Sequence, residues 1–230
     1  AEMAAGWRFT RAAVSVFLVL SVTHAGESEA CEYGKKLEEA DRVFQSALES
    51  LDKGEMMLAE RGLRSAIQLN PQYADAYYNI GNILLGKGEF KDGLEMLEKA
   101  ISLNSNVGAY HTMLGICSIQ LGNVEKAYSA FKRACQLVPN DPWNHFNLGL
   151  VCEKLNNPSE AAEAYFKAVE LQAGEAKFHR KLARALDANG ELRRAINYYE
   201  NLLKFDPKDE EVKRWKASAE MRVAVIESRS

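Results

Sequence analysis

The chain has 230 residues and a mass of 25.7 kDa, enough for one or two domains that bury about 70% of the unfolded surface. Hydrophobic residues at 47% and charged residues at 27% are those of a globular protein and exclude a disordered chain. A formal net charge of −3 and a pI near 5.9 argue against a dedicated nucleic-acid binder, and four cysteines are too few for a disulfide scaffold.

The first thirty residues differ from the rest. Arg8 and Arg11 precede an uncharged run from Ala12 to Gly26, and Glu27, Glu29 and Glu32 follow it. A basic start, an apolar centre and a small-residue end make the pattern of an export signal. Fifteen helical residues would span about 22 Å, short of the roughly 30 Å hydrocarbon core, so length favours a cleavable signal over a stable span. A retained membrane anchor through residues 8–26 stays open. The charge asymmetry predicts the same orientation under either reading: the N-terminus stays behind and the remainder is translocated. No asparagine begins a glycosylation sequon, since Asn157 is followed by proline. That tilts the expected location from the glycosylating secretory route toward an organelle or extracytoplasmic lumen.

Beyond residue 39 the chain repeats itself. Ala59, Gly93, Ala127, Ala161 and Ala195 stand at one constant interval, and Ala47, Gly81, Gly115, Gly149 and Ala183 keep the same interval. Larger apolar residues keep the step at Leu63, Leu97, Phe131, Tyr165 and Tyr199, and Pro71, Pro139 and Pro207 mark unit ends. Each unit carries two apolar stripes at helical spacing, such as Tyr77, Ile80, Leu84 and then Leu94, Leu97, Ile101. Between the stripes sit Gly54, Gly88, Gly122, Asn156 and Gly190, the residue types that take a left-handed helix-ending conformation cheaply. Each unit is therefore predicted to be helix, tight turn, helix.

These units resemble tetratricopeptide repeats. Leu114, Gly115, Ala127, Phe131, Ala134 and Pro139 of the third unit carry the likeness well, and the stretch 40–209 follows it in one unbroken register. The resemblance implies an all-α fold: a right-handed α-solenoid of five helix-turn-helix units over residues 40–73, 74–107, 108–141, 142–175 and 176–209. Residues 31–39 are expected to be a helical lead-in and 1–30 the signal or anchor segment. Val212, Trp215, Ala219, Val223 and Ile226 give residues 210–230 one apolar face, which predicts a helix capping the end of unit five. A partner-binding amphipathic helix is the alternative.

Reactive chemistry is sparse. No phosphate-cradling loop, nucleophile elbow, Cys-X-X-Cys or His-Glu-X-X-His occurs, and the chain is expected to be non-catalytic and to need no cofactor. His111, His145 and His179 recur at one repeat position, but helices about 8–10 Å apart do not bring one histidine each to an ion at about 2 Å. No metal site is expected. Cys117, Cys135 and Cys152 read as small buried hydrophobes, with a Cys135–Cys152 bridge as the alternative in an oxidising lumen.

The resemblance further implies that the first helices line a concave groove that binds a peptide segment. The positions expected to face it include Phe44, Tyr78, Asn82, Phe146, Arg180 and Arg184, with Asn79 and Asn147 placed to grip a peptide backbone and Lys177 and Lys181 extending a cationic end. Unit five carries eight basic against five acidic residues, so an acidic or apolar extended segment of a protein partner is expected, and no nucleic acid. A clamp for an acidic C-terminal tail, as in co-chaperones of this family, needs Lys and Asn where Thr112 and Ile116 stand. The reading is a non-catalytic scaffold or assembly factor of a membrane-associated complex; the alternative is a co-chaperone adaptor with a partial clamp.

Overall fold

The computed structural model describes residues 24–229, with side chains from residue 31. The segment expected as signal or anchor lies outside the described residues except at its end, residues 24–30. Among the described residues no helix is long and apolar enough to cross a membrane, and all regular structure is helical.

Eleven helices follow one another: α1 (His24–Asp52), α2 (Met56–Leu69), α3 (Ala74–Gly86), α4 (Phe90–Leu103), α5 (Gly108–Gln120), α6 (Val124–Leu137), α7 (Pro142–Lys154), α8 (Pro158–Leu171), α9 (Ala176–Ala188), α10 (Leu192–Phe205) and α11 (Glu210–Glu227). From α2 onward, alternate helices begin at the same constant interval that the sequence shows. The turn between the helices of each pair holds Gly54, Gly88, Gly122, Asn156 or Gly190 at φ of 76°, 80°, 75°, 56° and 83°. The left-handed residue lets the chain reverse while its neighbours return hydrogen bonds to the helix just ended, as Asn123 N does to Ser118 O at 2.8 Å.

The described residues form two compact units, 24–76 and 77–229. In the first, Ala40, Phe44 and Ala47 of α1 and Ala59, Leu63 and Ala66 of α2 are buried. Small residues set this approach: a Cβ on Gly62 would stand 2.8 Å from the Ala47 Cβ. Phe44 packs on Tyr73 with ring centroids 4.6 Å apart. Met56, Met57 and Leu58 at the start of α2 are 49%, 78% and 53% exposed.

In the second unit the same device is sharper. Gly115 faces the Phe131 ring and Gly149 the Tyr165 ring, where an added Cβ would meet ring carbons at 2.7 and 2.5 Å. Gly81 and Leu97 make the corresponding contact in the α3–α4 pair at 2.9 Å. Phe131, Tyr165, Phe178, Leu182 and Tyr199 are fully buried, each removing about 1.5–3 kcal/mol worth of apolar surface from water. Helix α11 starts at the register of a first helix. Its Val212 is buried like Phe178, which holds the same register position in the preceding unit. Lys216 and Glu220 form an ion pair of 2.6 Å where α9 has the buried Leu182 and Leu186. Lys216 also lies 3.4 Å from Glu200 of α10, so charge stands at a register where the preceding unit is apolar.

Candidate functional site

The three recurrent histidines act in the connections. His111, His145 and His179 each donate a ring N–H to the carbonyl six residues back, on Ser105, Pro139 and Ala173, at 2.9, 2.9 and 2.8 Å. Each ring holds down the loop that ends the preceding unit and satisfies a carbonyl the helix cannot reach. The described residues contain no cluster of three metal-ligating side chains.

The cysteines are free. Burial pushes the Cys135 and Cys152 thiols up to about 12, and burial raises Cys117 as well, whose Sγ donates to Phe90 O at 3.0 Å. Thiols so shifted carry little thiolate and are poor nucleophiles.

The residues expected to line a groove follow a rule that sequence spacing alone did not expose. The fifth residue of a first helix reaches the third residue of the next first helix. Tyr78 stacks on Tyr110 at 5.0 Å, Thr112 donates to Asn144 Oδ1 at 2.7 Å, and Phe146 packs on Phe178 at 4.8 Å. That position is the seam between repeats as much as a lining of their surface. Phe44 and Phe146 are accordingly only 6% and 8% exposed, which leaves little of either ring for a partner. Tyr78, Asn79, Asn82 and Asn147 are half-buried. Asn82 Oδ1 is shielded and has no hydrogen-bond partner.

The cationic end is largely engaged within the protein. Arg180 donates to Asp209 at 2.6 Å and lies 3.6 Å from Glu211, both at the start of α11. Asp209 is also the N-cap of α11, accepting from the backbone N–H of Glu211 and Val212. Its carboxyl is held below the ordinary value of 3.8, first by the Val212 N–H and then by Arg180. Lys181 pairs with Glu153 at 2.7 Å. The Arg184 guanidinium lies 4.7 Å from the Trp215 ring centroid. Lys177 is exposed, its ammonium 3.7 Å from the centroid of Trp143.

Trp143 was not singled out by the sequence reading. It is 40% exposed and stands edge-on to Phe146 and Phe178 at 5.9 and 5.1 Å. Its signal was its register: it occupies the second position of its first helix, as Lys177 does in the next unit. Half-buried Ile116, Ile119 and Leu150 pack on the same core. The arrangement is an apolar, aromatic surface edged by the exposed Lys177 ammonium, suited to holding side chains of another protein.

Three sequence profiles match the chain: a tetratricopeptide repeat over residues 74–107, a TPR repeat over 119–156 and a tetratricopeptide repeat over 154–219. The chain belongs to the tetratricopeptide-repeat family, whose members generally mediate protein–protein interactions. Among solved structures it is similar to YrrB, described as a TPR protein with an unusual peptide-binding site, with a TM-score of 0.70 and 22% identity over 80% of this chain and 97% of that one. It is also similar to MamA from Desulfovibrio magneticus RS-1, with a TM-score of 0.65 and 18% identity over 74% and 97%. PilF of Pseudomonas aeruginosa gives 0.62 and 23% over 85% and 95%. At such identities the likeness is one of fold. A comparison with characterised proteins by sequence finds no match.

Proposed function

We propose that the chain is a non-catalytic interaction scaffold that holds a peptide segment of a protein partner on the first helices of residues 77–229. Trp143 carries the reading. A tryptophan 40% exposed and fixed by two buried rings offers a large, rigid contact at low entropic cost, the character of binding hot spots. Asn79, Asn82 and Asn147 are half-buried on first helices, and their side-chain amides are the groups proposed to hold a peptide backbone. YrrB, the structural relative with a peptide-binding site, is consistent with this use of the fold. The segment expected is apolar or aromatic, with an acidic residue for Lys177. A co-chaperone clamp for an acidic tail is the weaker reading, because Arg180 and Lys181 are paired with Asp209 and Glu153 and Thr112 is bonded to Asn144.

We infer in addition that the repeats work on the translocated side of a membrane, delivered or held there by residues 8–26, as part of a membrane-associated assembly. Arg8 and Arg11 before the apolar run and the glutamates after it support this orientation. Co-purification from native membranes with the wild-type chain and with Trp143→Ala tests the scaffold reading: a partner held by the wild type and lost by the variant supports it, and equal recovery overturns it. Protease added to the cytosolic face of sealed membranes is expected to spare residues 40–209, and their digestion sinks the topology.

A further inference from the structure

The repeat register exposes one residue that the fold does not use. The last turn of each second helix carries Leu69, Leu103, Leu137 and Leu171, all half-buried. The fifth unit has Phe205 there, the largest residue of the series, and it is 90% exposed. A conflict of that size between residue type and environment marks a site with a use beyond folding. Phe205 stands on the rim of a pocket of about 600 Å³ whose wall joins Ala173, Gly174, Tyr198 and Leu202 to polar side chains that include Asn201, Lys204 and Asp206. Small residues at the end of the loop before α9 leave it open, and its volume takes an aromatic ring. Phe205 is flanked in sequence by exposed Lys204 and Asp206, one charge of each sign.

We propose that this end of the fifth helical pair is a self-association surface, in which Phe205 of each copy enters the corresponding pocket of a second copy. A protruding ring beside a receptive pocket is self-complementary, which is what a two-fold interface requires. The flanking charges match the same symmetry, since a two-fold axis between the copies brings Lys204 of one toward Asp206 of the other. One ring per copy is small beside the roughly 800 Å² per partner of a permanent interface, so the dimer forms and dissociates with concentration. The pocket shares Arg180 and Asp209 with the start of α11, but the inference stands whether or not the first-helix surface binds a peptide.

Sedimentation of the full chain over a wide concentration range tests it, with Phe205→Asp as the variant. Phe205 is almost fully exposed, so the variant keeps its helical spectrum. The wild type is expected to show a monomer–dimer equilibrium, and the variant to weaken it by at least about tenfold, as for an anchor ring at an interface centre. Carbodiimide coupling of a mixture of ¹⁴N and ¹⁵N chains is expected to join Lys204 of one isotope to Asp206 of the other. A wild type that stays monomeric, association unchanged by Phe205→Asp, or intermolecular links confined to other residues overturns the proposal. A monomer whose pocket takes an aromatic segment of a different protein overturns it equally.

Discussion

At the scale of single residues the turns make the sharpest test, because four glycines and one asparagine do the same work. Asn156 holds φ at 56°, a conformation that costs an L-residue about 1–2 kcal/mol, less for asparagine. Its side chain is exposed. Asn156→Gly is therefore expected to stabilise the chain by about 0.5–1 kcal/mol, and Gly122→Ala to destabilise it by about 1 kcal/mol. In a chain of this length such changes move the thermal midpoint by roughly 2–4 °C per kcal/mol, and calorimetry reads both signs. Gly149→Ala is a harsher case. The added methyl would meet the Tyr165 ring at 2.5 Å, so overpacking of about 1–3 kcal/mol opposes a helix-propensity gain of about 1 kcal/mol, and a net loss of stability is expected. These positions were legible in the sequence because only a few residue types tolerate left-handed backbone or zero clearance, and the repeat printed the requirement five times. The histidine bonds were not legible. A ring at a recurrent position looks alike whether it holds a metal, fills a core or caps a carbonyl six residues away, and only the loop's path decides.

At the scale of elements, α11 is attached by charge as well as by burial. Val212 and Ala219 are buried against the preceding pair, while Arg180 reaches Asp209, Arg222 reaches Asp187 and Arg193 reaches Glu227. The apolar spacing predicted a cap, but the pairing of Arg180 was invisible, since its acceptor lies 29 residues away across a loop. The consequence is testable through Asp209. Its folded-state pKa is depressed, so its contribution to stability is complete above the unfolded value near 3.8 and is lost as pH falls through the lower folded value. Asp209→Asn retains an N-cap acceptor and removes the charge. The variant is expected to melt below the wild type at neutral pH, with the gap constant until the pH approaches 4 and closing below it. A gap that widened on acidification would place the stabilising charge elsewhere.

At the scale of the whole molecule, the issue is whether charge or apolar contact drives partner binding through residues 77–229. Sequence spacing pointed to four cations in a row, and spacing is blind to what each cation faces. Two of the four are ion-paired within the chain, Arg180 with Asp209 and Lys181 with Glu153, and the other two lie over rings, Arg184 over Trp215 and Lys177 over Trp143. An acidic ligand would have to displace those partners before gaining its own, and exchange of one exposed ion pair for another yields little, about 0.2–1 kcal/mol at most. Trp143 has only the Lys177 ammonium over its ring, and an acidic residue could bind that ammonium without disturbing the stack. The partner's affinity is therefore expected to change only a few-fold as salt rises from low to several times physiological strength, where screening contracts below about 8 Å. Trp143→Ala is expected to weaken binding by roughly 30-fold at either salt, the scale of about 2 kcal/mol for an aromatic hot spot. Lys177→Gln should remove most of the small salt dependence that remains. Arg180→Glu, by contrast, sets a carboxylate against Asp209 and Glu211, and is expected to lower the thermal midpoint before it alters binding. Titration of the captured partner segment against the three variants at two salt concentrations separates these outcomes. A steep loss of affinity with salt, unaffected by Trp143→Ala, would return the binding to the cations and require α11 to yield its acidic residues when the partner docks.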